Sequence, residues 1–476
     1  MTVRTRFSPS PTGLLHIGNA RAALYSALYA RLMQGIFILR IEDTDAVRSA
    51  EQYTETLQQD LHWLGIAWQE GPGVDGKHGP YWQSQRLNIY HHYYDQLKEK
   101  SRVYPCFCTE EELALARKMQ LSRGHAPRYS GTCRQLIAEE ITQRKEQGLK
   151  PTLRFRVPEN TMIEFIDLVK GPQHFNSNDI GDFIIRRADG TSPFLFCNAI
   201  DDATMKVTHV LRGDDHLTNT PRQIMILQAL NLPISHYGHL SLITGSDGTP
   251  LSKRHGSFSV QDLQQRGFLP QAVINYLARL GHTCDAQQLL SFSELAAHFN
   301  VEKLSRSPAH FDHSQLMYWQ KTAALLLDKT EFWHWLGEGI QRQVPEAMHD
   351  LFVSAVQPNI AFPHEAAMWA ATFFSDSLKL EDLNDEALAF LRDTKEQFFV
   401  EAEQAVINYG TNFQRLLVEM KQTLGLSGKR LFMPLRIALT GRMDGPELAL
   451  IAQLLGTKRL QQRFSQALKF VAELSA

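Results

Sequence analysis

The chain has 476 residues and a formal net charge of −2, with 43% hydrophobic and 21% charged residues. This length fits two to four domains at roughly 100–200 residues each, and the composition is that of a globular protein with a sizeable core. The near-neutral charge excludes a uniformly basic nucleic-acid binder, although it is compatible with local basic patches.

Five cysteines are spread along the chain, and their odd number and low density argue against a disulfide scaffold. The opening residues, MTVRTRFSPSPTG, contain no apolar segment of the kind that a secretory signal requires. No apolar run approaches the ~18 residues that cross a bilayer. We therefore expect a soluble protein of the cytoplasm.

The first 40 residues predict a strand–helix–strand unit. VRTRFSPS reads as a short strand followed by a proline-bounded loop, and IFILRIE reads as a buried parallel strand. Between them we expect a helix that ends at a C-cap glycine, Gly35. Its apolar residues recur at helical spacing, namely at Ala20, Ala23, Leu24, Ala27 and Leu28.

Residues 101–189 differ from this pattern, because charged helical stretches alternate with short strand-like runs such as TLRFRVP and FIDLVKG. This composition indicates an inserted α+β subdomain. Strand and helix patterns return near residue 190 and continue into the loop GSDGTPLSKRHGS, and from about residue 260 the patterns are helical.

The C-terminal third has an uneven charge distribution. Residues 361–410 hold ten Asp and Glu against three Lys and Arg, whereas residues 421–476 hold nine Lys and Arg against three Asp and Glu. The basic segment indicates contact with a polyanion, and a solvated helix face is the alternative interpretation.

The sequence HIGN lies where the first helix begins, directly after a strand and a loop. The free N–H groups of a helix start form a phosphate site. His16 can donate a hydrogen bond to phosphate oxygens, and Gly18 lets a flat purine ring approach the backbone. Four letters alone are weak support, and a histidine that only caps or packs is the alternative.

A second motif, PLSKRHGS, places Lys253 in a loop far along the chain. A histidine–glycine helix start combined with a distant Ser-Lys loop resembles the paired signature of class I aminoacyl-tRNA synthetases. Further segments along the whole chain resemble bacterial glutamyl-tRNA synthetases, namely RFSPSPTGLLHIGNAR, FILRIEDTD, HVLRGDDHLTNTPRQ, PLRIALTG and LLGTKR.

The resemblance implies an ATP-dependent ligase that joins glutamate to tRNA through a glutamyl-adenylate. His16 and Lys253 would be catalytic by stabilising phosphate charge, and Mg²⁺ would accompany ATP, held mainly by phosphates and water. The ATP site would comprise Pro9, His16, Gly18, Asn19, Ser252, Lys253 and Arg254. The glutamate site would comprise Arg6, Ser8, Ser10, Glu42, Phe194, Asn198 and Arg212.

In this assignment the arginines bind the substrate carboxylates and Glu42 binds the ammonium group. Which arginine binds which carboxylate stays open. Three positions depart from the family pattern: Asn19 replaces the second histidine, Pro250 replaces a lysine of the Ser-Lys loop, and Phe194 replaces a tyrosine. The details of glutamate recognition are therefore less defined than the reaction class.

Cys106, Cys108 and Cys133 have the placement of a zinc knuckle that some of these enzymes contain. The position of its last ligand is Gln135, so three thiolates lack an obvious fourth donor, and Tyr129 or His125 could supply it. The alternative is a knuckle that has lost its metal.

The resemblance implies an α/β fold: a Rossmann-type parallel-sheet catalytic domain with an inserted subdomain, followed by all-α domains. We expect catalytic halves at 1–100 and 190–258, an acceptor-binding insertion at 101–189, a stem-contact domain at 259–325 and an anticodon-binding domain at 326–476. A monomer is expected. The enzyme could instead charge tRNA(Gln) or both tRNAs, and a non-catalytic tRNA-binding relative is the alternative from another class.

Overall fold

The structure is a computed structural model that describes residues 2–44, 51–74, 76–245, 247–249, 251, 258–375, 378 and 383–475. The chain forms two compact units, Met1–Gln265 with Pro270–Leu316 and Arg266–Leu269 with Met317–Ala476. Among the described helices, none has the length and apolar character needed to cross a membrane.

Two pairs of parallel strands form the centre of the first unit. In each pair, a helix lies between the two strands along the chain. The elements before the insertion are β1 Arg4–Phe7, α1 Ile17–Leu32, β2 Ile36–Leu39, α2 Glu51–Trp63 and α3 Leu87–Glu99.

The insertion mixes short helices with antiparallel strands, as its composition predicts. Its elements are β3 Val103–Cys106, α4 Glu110–Ser122, α5 Ala138–Glu146, β4 Thr152–Phe155, β5 Met162–Asp167, β6 Gly171–Asn176, α6 Ser177–Ile180 and β7 Phe183–Arg186. The strands form a three-stranded sheet in the order β3-β4-β7 and a hairpin of β5 and β6.

After the insertion the chain returns to the parallel strands and then becomes mainly helical. The elements are α7 Phe194–Thr204, β8 His209–Gly213, α8 Thr220–Leu230, β9 His236–Leu240, β10 Ile243–Thr244, α9 Val260–Gln265, α10 Pro270–Arg279, α11 Phe292–His298, β11 Ala309–His310 and α12 His313–Leu326. The pairing of β11 with β10 departs from the expected all-helical region, because two residues are too few to produce a strand pattern.

The two parallel pairs lie side by side. Arg4 of β1 is opposite Ile36 of β2, and His209 of β8 is opposite His236 of β9. The Thr208 N–H donates to the Arg4 carbonyl at 2.9 Å, which places β8 next to β1. The carboxyl ends of these strands therefore meet at one edge, where ligands bind in open α/β sheets.

The expected role of Gly35 is wrong. Helix α1 ends with Met33 as its C-cap, and Gln34 takes the left-handed conformation with φ 50°. The Gly35 N–H closes the turn on the Ala30 carbonyl at 2.8 Å. Glycine is required at this position because a Cβ there would collide with the carbonyl of Val3.

The second unit is all-helical around its own core, which includes the buried rings of Phe332, Phe352 and Phe373. Gly456 interrupts the last helix with a φ of 70°. The helices are α13 Lys329–Leu336, α14 Glu338–Gln341, α15 His349–Val356, α16 Pro363–Phe374, α17 Asp385–Arg392, α18 Glu396–Tyr409, α19 Phe413–Leu424, α20 Lys429–Thr440 and α21 Leu448–Ser475.

Candidate active site

A cavity of about 320 Å³ opens at the carboxyl ends of β1 and β8, beside the start of α1. All seven residues expected to bind glutamate line it, together with Pro9 and Asn19 from the expected ATP set. The remaining lining residues are Phe7, Thr12, Ala22, Leu211, Gly213 and His216.

Glu42 is the acidic group of this cavity, and only 5% of its surface is exposed. The Asn198 amide nitrogen donates to Glu42 Oε1 at 2.6 Å. Arg40, which is fully buried, donates to Asn198 Oδ1 at 2.8 Å and therefore fixes which end of the amide faces Glu42. Burial raises the pKa of Glu42 to about 7, against the opposing effect of the Arg40 charge.

Arg6 and Arg40 share one carboxylate, Asp202, that does not line the cavity. Asp202 Oδ1 lies 3.4 Å from Arg6 Nε and 2.7 Å from Arg40 Nη1. Burial raises the pKa of Asp202, but the charges of Arg6 and Arg40 outweigh it, so the pKa is lowered overall. An ionised Asp202 thus holds Arg6 at the edge of the cavity.

Arg212 enters the cavity from the end of β8. Burial lowers the pKa of Arg212 to about 10, so the guanidinium remains protonated at neutral pH. Its Nη1 and the hydroxyl of Ser8 are buried and have no hydrogen-bond partner among the described residues. Buried donors are rarely left unpaired, and two in one cavity indicate a missing polar ligand.

Phe194 forms part of the cavity wall. Its ring stacks on His216 with centroids 5.1 Å apart and an interplanar angle of 29°. Phe194 therefore has a packing partner in the cavity wall, the ring of His216.

The start of α1 lies beside the cavity. His16 is the exposed N-cap residue of α1, and its side chain makes no capping bond to the first N–H groups of the helix. A Cβ on Gly18 would meet nothing within 4 Å, which leaves open space over the helix start. A phosphate-bearing ligand can approach this surface.

The Ser-Lys loop lies largely outside the described residues, which exclude Pro250, Ser252, Lys253 and Arg254. The chain that follows it is placed beside the helix start: Ser259 forms a β-bridge with His16, and the Val260 N–H donates to the Leu15 carbonyl at 2.8 Å. Ser259 and Val260, which follow the Ser-Lys motif in the chain, therefore lie beside the start of α1.

The three cysteines of the insertion converge. The sulfur atoms of Cys106, Cys108 and Cys133 lie within 4.8 Å of one another, and those of Cys108 and Cys133 are 3.7 Å apart. The Tyr129 hydroxyl lies 3.4 Å from each of the Cys106 and Cys108 sulfurs and accepts the Cys133 N–H at 2.9 Å. His125 does not belong to this group of side chains, which could hold a metal ion.

Sequence reasoning missed residues that support the cavity from behind. Arg40 lies in FILRIEDTD and Asp202 in CNAIDDATM, and both are charged residues within apolar runs. A charge in a segment that must be buried is a signal for a partner. The sequence alone does not identify that partner, because the two residues are far apart along the chain.

Two families match consecutive parts of the chain. The family described as tRNA synthetases class I (E and Q), catalytic domain, matches residues 2–318, and the family described as anticodon binding domain matches residues 323–468.

Individual relatives match over nearly the full length. The glutamate–tRNA ligase 2 of Coxiella burnetii (strain RSA 331) is 53% identical over 465 residues, which are 98% of this chain and 99% of that protein. The glutamate–tRNA ligase 2 of Nitrosococcus oceani is 51% identical over 461 residues, 97% of each chain. A crystal structure of a glutamate tRNA ligase from Elizabethkingia meningosepticum in complex with its amino acid matches with a TM-score of 0.88 and 27% identity, covering 99% of this chain and 100% of that one.

Proposed function

The chain belongs to the class I tRNA synthetase family of the E and Q type, and we propose that it is a glutamate–tRNA ligase. It would form glutamyl-adenylate from glutamate and ATP and transfer the glutamyl group to a terminal ribose hydroxyl of tRNA. The observation that carries this proposal is the cavity that combines one buried acid, Glu42, with two arginines, Arg6 and Arg212.

The charges of this cavity complement those of glutamate. Arg6 and Arg212 supply donors for two carboxylates, and Glu42 supplies an acceptor for one ammonium group. The unpaired Nη1 of Arg212 and hydroxyl of Ser8 gain partners when a dicarboxylate enters. These intact, unpaired donors also argue against a non-catalytic relative, which has no need to keep them.

Neither step of the reaction needs a nucleophile from the protein. The glutamate α-carboxylate attacks the α-phosphorus of ATP and pyrophosphate leaves; the tRNA ribose hydroxyl then attacks the carbonyl carbon of the glutamyl-adenylate and AMP leaves. The protein positions the reactants and stabilises charge on phosphate oxygens. We assign this role to the start of α1 with His16, and to Lys253.

Pyrophosphate exchange tests the first step. We expect purified protein with MgATP to exchange pyrophosphate in the presence of glutamate but not glutamine, measured with and without tRNA. Lys253→Ala is expected to lower the exchange rate more than it weakens glutamate binding. Exchange that depends on glutamine and not on glutamate would contradict the proposed substrate. So would the absence of exchange with either amino acid, with or without tRNA.

Charging assays with purified tRNA(Glu) and tRNA(Gln) test the second step. We expect glutamate to be attached to tRNA(Glu), and the anticodon-binding region 326–476 to carry the discrimination between the two tRNAs. Comparable charging of both tRNAs would make the enzyme non-discriminating, and preference for tRNA(Gln) would overturn the assignment to tRNA(Glu).

We also propose a structural zinc ion in the insertion, bound by Cys106, Cys108, Cys133 and the Tyr129 hydroxyl. Tetrahedral zinc with Zn–S of about 2.3 Å and Zn–O of about 2.0 Å requires about 3.8 Å between sulfurs and about 3.5 Å between sulfur and oxygen. The distances of 3.7 Å and 3.4 Å fit these values. Zinc here would hold together the loop and strand that supply its ligands.

Metal analysis of the purified protein tests the zinc proposal. We expect about one zinc per chain, retained after dialysis against a weak chelator. Less than about a tenth of an equivalent, in protein grown with added zinc, would show that the cluster binds no metal.

The resemblance further supports a cytoplasmic monomer, because ATP, tRNA and the other components of translation are present in the cytoplasm. Sedimentation with and without tRNA tests the monomer, and a stable dimer of the free protein would contradict it.

A further inference from the structure

We propose that His239 and Asp167 are positioning residues that hold Arg212 in the orientation that binds a substrate carboxylate. The inference rests on the proposed glutamate site. It starts from strand register, because Arg212 on β8 lies opposite His239 on β9. Neither His239 nor Asp167 lines the cavity. His239 Nε2 lies against Arg212 Nε and, at 3.0 Å, against the Thr220 hydroxyl, which itself accepts a hydrogen bond from Arg212.

The hydrogen bonds define one tautomer of His239. Arg212 Nε donates to His239 Nε2 at 3.2 Å, so Nε2 must be the unprotonated acceptor. The proton is then on Nδ1, which donates to Asp167 Oδ2 at 2.5 Å. Both side chains are fully buried, so water does not compete for these bonds.

Asp167 is itself fixed by backbone groups. Its Oδ1 accepts from the N–H groups of Val169 at 2.9 Å, Lys170 at 2.8 Å and His239 at 3.2 Å. Burial raises the pKa of Asp167, but the hydrogen bonds from His239 and the backbone outweigh it and lower the pKa overall. Burial also lowers the pKa of His239. An ionised Asp167 beside a neutral His239 is the state that the hydrogen bonds require.

These bonds leave Nη1 of Arg212 for the ligand. Arg212 Nε is held by His239, and Arg212 Nη2 donates to the Thr220 hydroxyl at 2.7 Å. The third nitrogen, Nη1, is buried and has no partner among the described residues. Because the other two nitrogens are fixed, the direction of Nη1 is fixed as well. Asp167 ends β5 of the insertion, so the insertion contributes to the glutamate site through His239 and Arg212.

Three variants test the inference through the Michaelis constants for glutamate and ATP. His239→Leu removes the acceptor, and we expect the glutamate KM to rise roughly tenfold or more while the ATP KM stays within twofold. His239→Gln restores an acceptor near the position of Nε2, and we expect it to recover most of the loss. His282→Gln is the matched control, because His282 is another buried histidine whose Nε2 accepts a backbone N–H.

Asp167→Asn tests the tautomer. The Asn oxygen must stay on the three backbone N–H groups, so the amide nitrogen would face His239 Nδ1 and force the proton onto Nε2. Two donors would then oppose each other at Arg212, and we expect the glutamate KM to rise as in His239→Leu. In a His239→Gln background, Asp167→Asn should raise the glutamate KM little further, because glutamine has no tautomers.

Each outcome has one meaning. Wild-type protein that does not activate glutamate contradicts the proposed function, whatever the variants do. Active wild type with folded variants whose glutamate KM changes less than twofold overturns the positioning role, as does an equal rise in the KM for ATP. If His239→Leu does not fold, the same decision rests on Asp167→Asn and His239→Gln, with thermal melting as the check on folding.

Discussion

Asn198 donates a hydrogen bond to Glu42 across 2.6 Å although the two residues are 156 positions apart in the chain. The buried Arg40 donates to the oxygen of the same amide, so Asn198 cannot rotate to present that oxygen to Glu42. The acid that faces the cavity is therefore held by an amide whose orientation is set by a third residue. This arrangement holds the Glu42 carboxylate in one orientation in the cavity.

Glu42→Gln keeps the size of the side chain and removes its charge. We expect the glutamate KM to rise roughly ten- to a hundredfold, since a hydrogen bond to a charged group contributes about 1.5–3 kcal/mol. The ATP KM should stay within twofold. Glu164→Gln, on the exposed surface of β5, is the control and should change neither constant; an unchanged glutamate KM in Glu42→Gln would exclude Glu42 as the ammonium partner.

The pH dependence of glutamate binding follows from the same residue. Burial raises the pKa of Glu42 to about 7, so Glu42 gains a proton as the pH falls below that value. The ammonium of free glutamate stays protonated over this range, and it loses its partner. We therefore expect kcat/KM for glutamate to fall by up to about tenfold per pH unit below 7, with a flatter profile in Glu42→Gln. A wild-type profile that is level between pH 6 and 8 would contradict the assignment.

Tyr129→Phe removes the hydroxyl oxygen that lies 3.4 Å from the sulfurs of Cys106 and Cys108. If zinc is bound as proposed, we expect a chelator to remove it from this variant at a concentration at least tenfold lower than from the wild type, because three thiolates leave the site incomplete. Tyr104→Phe is the matched control, since its hydroxyl donates to Asp182 at 2.6 Å in the same subdomain. Equal zinc retention in both variants would show that Tyr129 is not a ligand.

The fold class was predicted correctly because the sequence patterns that indicate helices and strands are local. The apolar spacing in α1 and the continuous apolar run of β2 each lie within one short segment, and the motifs mark the ends of these elements. Gly35 was assigned wrongly because a C-cap and a close backbone approach both favour glycine, and only the position of Val3 separates the two. The expected boundaries of the five domains remain a prediction.

The expected glutamate residues meet in one cavity, yet the groups that orient them could not be read from the sequence. Arg40, Asp202 and His239 act across strands and helices that are far apart in the chain. Their pairing depends on strand register and on the direction of each side chain. Neither can be read from one short segment of the sequence. The Ser-Lys loop lies outside the described residues, so the role of Lys253 remains a prediction.

Arg463 is a buried cation that connects two helices of the C-terminal unit by hydrogen bonds. Only 1% of its surface is exposed, and it donates to the carbonyls of Leu439 at 2.6 Å and Thr372 at 2.5 Å, near the ends of α20 and α16. Arg463→Met would leave both carbonyls without these bonds, at a cost of about 1–3 kcal/mol each. We expect urea denaturation to show a loss of about 2–6 kcal/mol in the free energy of unfolding, whereas Arg430→Met, at an exposed position of α20, should change it by less than ~0.5 kcal/mol.

Gly18→Ala separates stability from nucleotide binding. The added methyl group meets no atom within 4 Å, and alanine favours a helix over glycine by up to about 1 kcal/mol, so we expect the variant to be as stable as the wild type or more so. The same methyl group would occupy the space that a nucleotide needs over the helix start. We expect the ATP KM to rise by about tenfold or more, with the glutamate KM within threefold. Gly339→Ala, in α14 and equally free of neighbours, is the matched control and should leave both constants unchanged; an unaltered ATP KM in Gly18→Ala would mean that the nucleotide does not lie against this turn of the helix.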